Sequence, residues 1–164
     1  MNSSATSSKS SKPSTRSPNS VKPAVGAEIA TTALLEREHF VGQVWDAYNT
    51  DYGIMTALSK AGIASFRTSL GFHEYSPNMP NVITEPLPHQ GEAYARRGLE
   101  IATRKVALLL PVGFLSLPSS KRLFEEIGLT RVYILTKKPV HRKSQMAWLV
   151  WEKGNFEAAV IRFL

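Results

Sequence analysis

The stretch "NVITEPLP" (residues 81–88) sets Glu85 and Pro86 directly after an apolar run with the composition of a β-strand. A carboxylate there can accept a hydrogen bond from a reacting group or act as a general base. The plainer role of an acid before a proline is an exposed turn position. "QVWDAYNTDYG" (43–53) is built similarly, with Asp46 closing an apolar stretch and Gly53 following it. Asp46 can meet a ligand at a strand end, or it can cap the next helix. A third group, Arg131, Lys137, Lys138, Arg142 and Lys143, contains no acid and surrounds the loop "KKPVHRK". Such a group can follow a phosphate backbone or simply be a solvated loop. His39, His73, His89 and His141 show no metal-box spacing. The chain also has no G-x-S-x-G elbow or phosphate-cradling G-x-x-x-x-G-K loop, which lowers hydrolase and nucleotide-hydrolysing readings.

The elements that must position these residues follow from periodicity. "AEIATTALLEREHF" (27–40) predicts a short leading helix with Ile29, Ala33, Leu34 and Phe40 near one stripe. "QVWDAY" reads as a strand, and "TDYGIMTALSKAGI" as a helix carrying Ile54, Leu58 and Ala61 and ending near Gly62. "IASFRT" and "PNVIT" read as strands, and "HQGEAYARRGLEIATRK" (89–105) as a helix. "VALLLPVGFL" (106–115) is a continuous apolar run, the mark of a strand buried on both faces of a parallel sheet. A helix "SSKRLFEEIG" with a Ser cap follows, then strands "RVYILT" and "MAWLVWEKG", with "AAVIRFL" closing the sequence. Strands alternating with helices, then two strands joined by a loop, predict an α/β sheet with a late antiparallel hairpin. Ligands in such sheets lie beyond the C-terminal ends of the strands.

Composition bounds the rest. At 164 residues and 43% hydrophobic, the chain suits one domain with a buried core. Residues 1–25 are rich in Ser, Lys and Pro and are expected to form a disordered basic tail, with the α/β domain occupying 26–164. Lys9, Lys12, Arg16 and Lys22 supply more than half of the +7 net charge, so the tail can add salt-sensitive affinity for nucleic acid. The absence of cysteine excludes disulfides and thiolate metal sites and fits the cytoplasm. No apolar run approaches the roughly 18 residues of a membrane span.

From about Ile29 onward the sequence resembles the class I S-adenosylmethionine-dependent methyltransferases, specifically the phage-type and bacterial DNA adenine N6 methyltransferases. "VWDAYNTDYGIMTALSKAG" resembles the first strand, cofactor loop and first helix. "NVITEPLPHQGEAYARRGLEIATRKVALLLPVGFL" resembles the catalytic strand, its N-P-P-Y/F turn, a helix and the next strand. "KRLFEEIGLTRVYILTKKP" and "MAWLVWEKG" resemble the closing helix and hairpin.

The resemblance implies a Rossmann-like sheet and S-adenosylmethionine as cofactor, held near Asp46, Gly53 and Ser69, the last at the end of the second strand. It implies catalysis at Glu85 and Pro86, and DNA as partner with RNA as the second choice. Lys137, Lys138, Arg142 and Lys143 are then the candidate nucleic-acid contacts.

The sequence departs from that pattern in four places. Ala47, Thr50 and Tyr52 stand where the family has proline and two glycines, and Ser69 stands where it has an acid. Leu87 and Pro88 replace the second proline and the aromatic ring that stacks on a flipped-out base. Only ten residues, 71–80, separate the second strand from "NVIT", so a short or missing third strand is expected. Together these predict reduced or lost catalysis. The alternative is a non-catalytic module that binds nucleic acid, an active partner subunit or a second copy of itself.

Overall fold

The computed structural model describes residues 25–47, 52–68, 72, 74, 78–136, 144–155 and 157–164. The tail expected at 1–25 therefore lies almost wholly outside the described residues. In chain order the elements are α1 (Val25–Leu35), β1 (Val44–Trp45), α2 (Gly53–Lys60), β2 (Ser65–Phe66), β3 (Met79–Thr84), α3 (Gly91–Ile101), β4 (Ala102–Pro111), α4 (Pro118–Ile127), β5 (Arg131–Ile134), β6 (Met146–Glu152) and β7 (Val160–Phe163). Short 3₁₀ turns at Pro88–Gln90 and Val112–Ser116 precede α3 and α4.

The seven strands form one sheet in the order β2-β1-β3-β4-β6-β5-β7. β2, β1, β3 and β4 are mutually parallel, whereas β6 runs antiparallel to both β4 and β5. This is the Rossmann-like α/β sheet with a C-terminal antiparallel hairpin that the sequence predicts. Among the described residues no strand lies beyond β2, as expected for a sheet lacking its third strand. β7 extends the opposite edge, parallel to β5.

The continuous apolar runs are explained by burial on both faces. Val106, Leu108 and Leu110 of β4 pack with Tyr94 and Ala95 of α3 and Leu123 of α4. Ala107 and Leu109 pack on the other face with Leu34 of α1 and Ile54 and Leu58 of α2. Trp148 and Trp151 alternate likewise in β6 and are both buried, in the core role expected of tryptophan in an apolar strand.

Three expectations change. α1 turns its alanines inward, so Ala27, Ala30 and Leu34 are buried while Ile29 is 59% exposed. The small face lets β6 come close enough for Trp148 Nε1 to donate to the Ala30 carbonyl at 2.9 Å. β4 begins at Ala102, so residues 102–105 are strand rather than the end of a helix. Their polar character misleads because Lys105 is satisfied from far along the chain, by Glu38. Finally, α4 starts at Pro118 with no side-chain cap, and Ser120 is buried within it. Proline suits a first helical position, where the missing N–H would have had no partner.

Candidate functional site at the C-terminal ends of the parallel strands

The chain leaves β1 toward β2 on one side and returns to β3 on the other, so the strand order reverses between β1 and β3. Ligands in open α/β sheets bind at such a switch point, beyond the strand ends. Val44 and Trp45 stand in register with Asn81 and Val82, which brings Asp46 and Glu85 to the same end of adjacent strands. Asn81, the first residue of the motif, is buried. Its amide donates to the carbonyls of Val41 at 3.0 Å and Gln43 at 3.3 Å and ties the approach to β1 onto β3.

Asp46 is fully buried. It does not cap α2, whose N-cap position is Tyr52, without a side-chain capping bond. Its Oδ2 instead accepts a hydrogen bond at 3.2 Å from Arg67, the first residue beyond β2. The Arg67 guanidinium carbon in turn lies 4.3 Å from the centroid of the Tyr52 ring. Carboxylate, guanidinium and ring thus form a stack across the ends of β1 and β2. Gly53 is the buried first residue of α2, next to Tyr52.

At the end of β3, Glu85 is half-buried and Pro86 buried. Leu87 is extended and 43% exposed, and Pro88 opens the 3₁₀ turn. Tyr94 and Phe114, two rings that could stand in for the missing one, are both committed elsewhere. Tyr94 is buried and stacked on Phe72 with 4.2 Å between ring centroids, within a cluster that includes Trp45. Phe114 is buried against Gly91.

Thr50, Ser69 and the group Lys137, Lys138, Arg142 and Lys143 lie outside the described residues. Arg131 does not belong with that group. It opens β5, at the opposite end of the sheet from the loop that follows Ile134, and pairs with Glu38 and Glu152. His39 and His89 are exposed, and no set of three metal-binding side chains occurs among the described residues.

Sequence reasoning passed over Arg67 in favour of Ser69. The available signal was that Arg67 directly follows the apolar pair of β2. The use of Tyr52 as a ring partner left no trace in spacing.

No family model matches the chain, and no curated protein matches it. Solved structures do. A predicted O-methyltransferase from Agrobacterium tumefaciens aligns over 84% of this chain and 85% of its own, with TM-score 0.59 and 10% identity. An S-adenosylmethionine-dependent O-methyltransferase from Thermotoga maritima aligns over 79% and 66%, with TM-score 0.50 and 10% identity. A protein described as the modification subunit of a type I restriction enzyme from Vibrio vulnificus aligns over 84% and 45%, with TM-score 0.53 and 10% identity. The chain spans less than two thirds of the length of the last two. These likenesses define the fold: the chain has the α/β fold of the class I methyltransferases.

Proposed function

We propose that this chain is an S-adenosylmethionine-dependent nucleic-acid methyltransferase by descent, of the DNA adenine N6 kind, in which methyl transfer is reduced or lost. The observation that carries this reading is the turn after β3. Glu85 and Pro86 stand at the switch point beside Asp46, yet Leu87 and Pro88 follow them, and Tyr94 and Phe114 are packed in the core. Base stacking on an aromatic ring contributes about 1–3 kcal/mol per base, and residues 85–88 include no aromatic side chain to supply it.

Bound in the crevice, S-adenosylmethionine would supply an electrophilic methyl group on its sulfonium. Asp46 and Gly53 are the described residues that would hold it, with Ser69 the third candidate. Asp46 suits the cofactor's cationic end, but Arg67 already sits against that carboxylate. Glu85 would accept a hydrogen bond from an amino group of the substrate, on a longer arm than the family's Asn or Asp. A displacement near 1 Å can lower a rate on the order of a hundredfold.

Transfer of labelled methyl from S-adenosylmethionine to adenine-containing DNA duplexes, single strands and RNA tests the reading. The expected result is no transfer above the protein-free control. Leu87→Pro combined with Pro88→Tyr should raise transfer toward detection. Wild-type turnover of about 1 per second, an ordinary enzymatic rate, would overturn the loss of catalysis.

A second reading, a non-catalytic module that binds nucleic acid or a partner subunit, is favoured by topology. β5 runs in the same sense as β4, so the connection from β5 to β6 leaves the sheet at the end that carries Asp46 and Glu85. Lys137, Lys138, Arg142 and Lys143 belong to that connection.

A further inference from the structure

We infer that Arg67 is an internal occupant of a cation-accepting site at Asp46, and that a ligand's cationic group reaches this carboxylate only when Arg67 leaves it. The inference deepens the cofactor reading of the crevice and rests on it.

A carboxylate with no solvent exposure at a strand end is strongly unfavourable unless a cation or hydrogen-bond donors share its site. Arg67 meets that need from the neighbouring strand, with Nη2 at 3.2 Å from Asp46 Oδ2. The stack opens outward. Asp46 is innermost, the Arg67 side chain is 22% exposed, and Tyr52 is 64% exposed. The guanidinium therefore lies between a buried anion and an outer aromatic face, two groups that both attract cations.

The same two groups would serve an incoming cation equally well. The ligand class that fits is a nucleoside with a cationic amino-acid substituent, and S-adenosylmethionine offers both an ammonium and a sulfonium. A nucleotide whose charge is only phosphate gains nothing from Asp46. Because Arg67 is tethered, it competes at every ligand concentration. The apparent affinity falls by the fraction of molecules in which Arg67 has moved aside.

Isothermal titration of the full chain with S-adenosylmethionine tests this, comparing wild type with Arg67→Lys, Arg67→Ser and the double variant Arg67→Ser/Asp46→Asn. Arg67→Ser should bind about tenfold or more tightly than wild type, the gain expected if the competent state is a minor population. Arg67→Lys should fall between them, and the double variant should show no gain. Measurable binding with equal affinities for wild type and Arg67→Ser overturns the proposal. Should Arg67→Ser not fold, Arg67→Lys against wild type carries the comparison, and equality there is equally fatal.

Thermal unfolding of Arg67→Ser separates this inference from the cofactor reading. Low-millimolar guanidinium chloride should restore part of the decrease in Tm, and sodium chloride at equal concentration should not. Restoration without S-adenosylmethionine binding keeps Arg67 as the occupant and removes the cofactor reading. Absence of both restoration and binding overturns the inference itself.

Discussion

Tyr133 Oη donates a 2.8 Å hydrogen bond to Glu38 Oε1, joining β5 to the segment between α1 and β1 across 95 positions of sequence. The same buried carboxylate accepts from Lys105 Nζ at 2.7 Å and from Arg131. Glu152, at the end of β6, pairs with Arg131 at 2.6 Å and lies 3.7 Å from Lys105. Two acids, two bases and a phenol thus pin four segments together, at the sheet end away from the crevice.

Removing Glu38 leaves Lys105 and Arg131 with the half-buried Glu152 as their remaining carboxylate among the described residues. Breaking a buried ion pair by deleting one partner costs about 3–5 kcal/mol. Glu38→Ala should lose about that much in chemical denaturation. A loss below about 1 kcal/mol, the level of a surface pair, would show that the cluster is not a structural clamp.

The same cluster gives stability a pH dependence at both extremes. Burial pushes the Glu38 carboxyl up, but hydrogen bonds from Arg131, Lys105 and Tyr133 outweigh it and hold the group below its ordinary value. A depressed carboxyl contributes stability that is present above its unfolded value of about 4.3 and is lost as pH falls through the folded one. Tyr133 shifts the other way, to about 12, through burial and its bond to Glu38. Its contribution is complete below its unfolded value of about 10 and is lost as pH rises through the folded one. Urea midpoints across pH should decline in both windows, and Tyr133→Phe should flatten the alkaline decline.

Gly91 opens α3 where the helix meets Phe114. A Cβ added there would lie 2.6 Å from Phe114 Cε2 and 3.0 Å from Leu110 Cδ1, inside the packed core. Gly91→Ala should therefore destabilise by about 1–3 kcal/mol, as overpacking does, despite the better helix propensity of alanine. Gly113 has nothing within 4 Å of its own added Cβ, so Gly113→Ala should be neutral within about 0.5 kcal/mol. Equal effects of the two substitutions would contradict the packing account.

If the loop between β5 and β6 binds a phosphate backbone, affinity for a DNA duplex must fall steeply with salt. Replacing Lys137, Lys138, Arg142 and Lys143 with alanine should reduce the slope of log K against log salt by about 0.9 for each phosphate that is no longer neutralised. Fluorescence anisotropy across a salt series measures that slope. An unchanged slope would place the nucleic-acid surface elsewhere or remove it.

The order of strands and helices was legible in the sequence because it rests on local pattern. The unbroken apolar run of β4 announced burial on both faces, and Gly62 marked the end of α2. Asp46 and Glu85 were legible as strand-end acids for the same reason. What they face was not. Arg67 was not singled out by its sequence, and only the parallel pairing of β1 with β2 sets it against Asp46 and beneath Tyr52. Tyr94 looked able to serve the turn until Phe72 claimed its ring, and Arg131 looked like part of a basic surface until Glu38 claimed its charge. Periodicity and composition report which side chains prefer water. Which buried charge meets which partner depends on strands brought together from distant parts of the chain, and that only the tertiary structure decides.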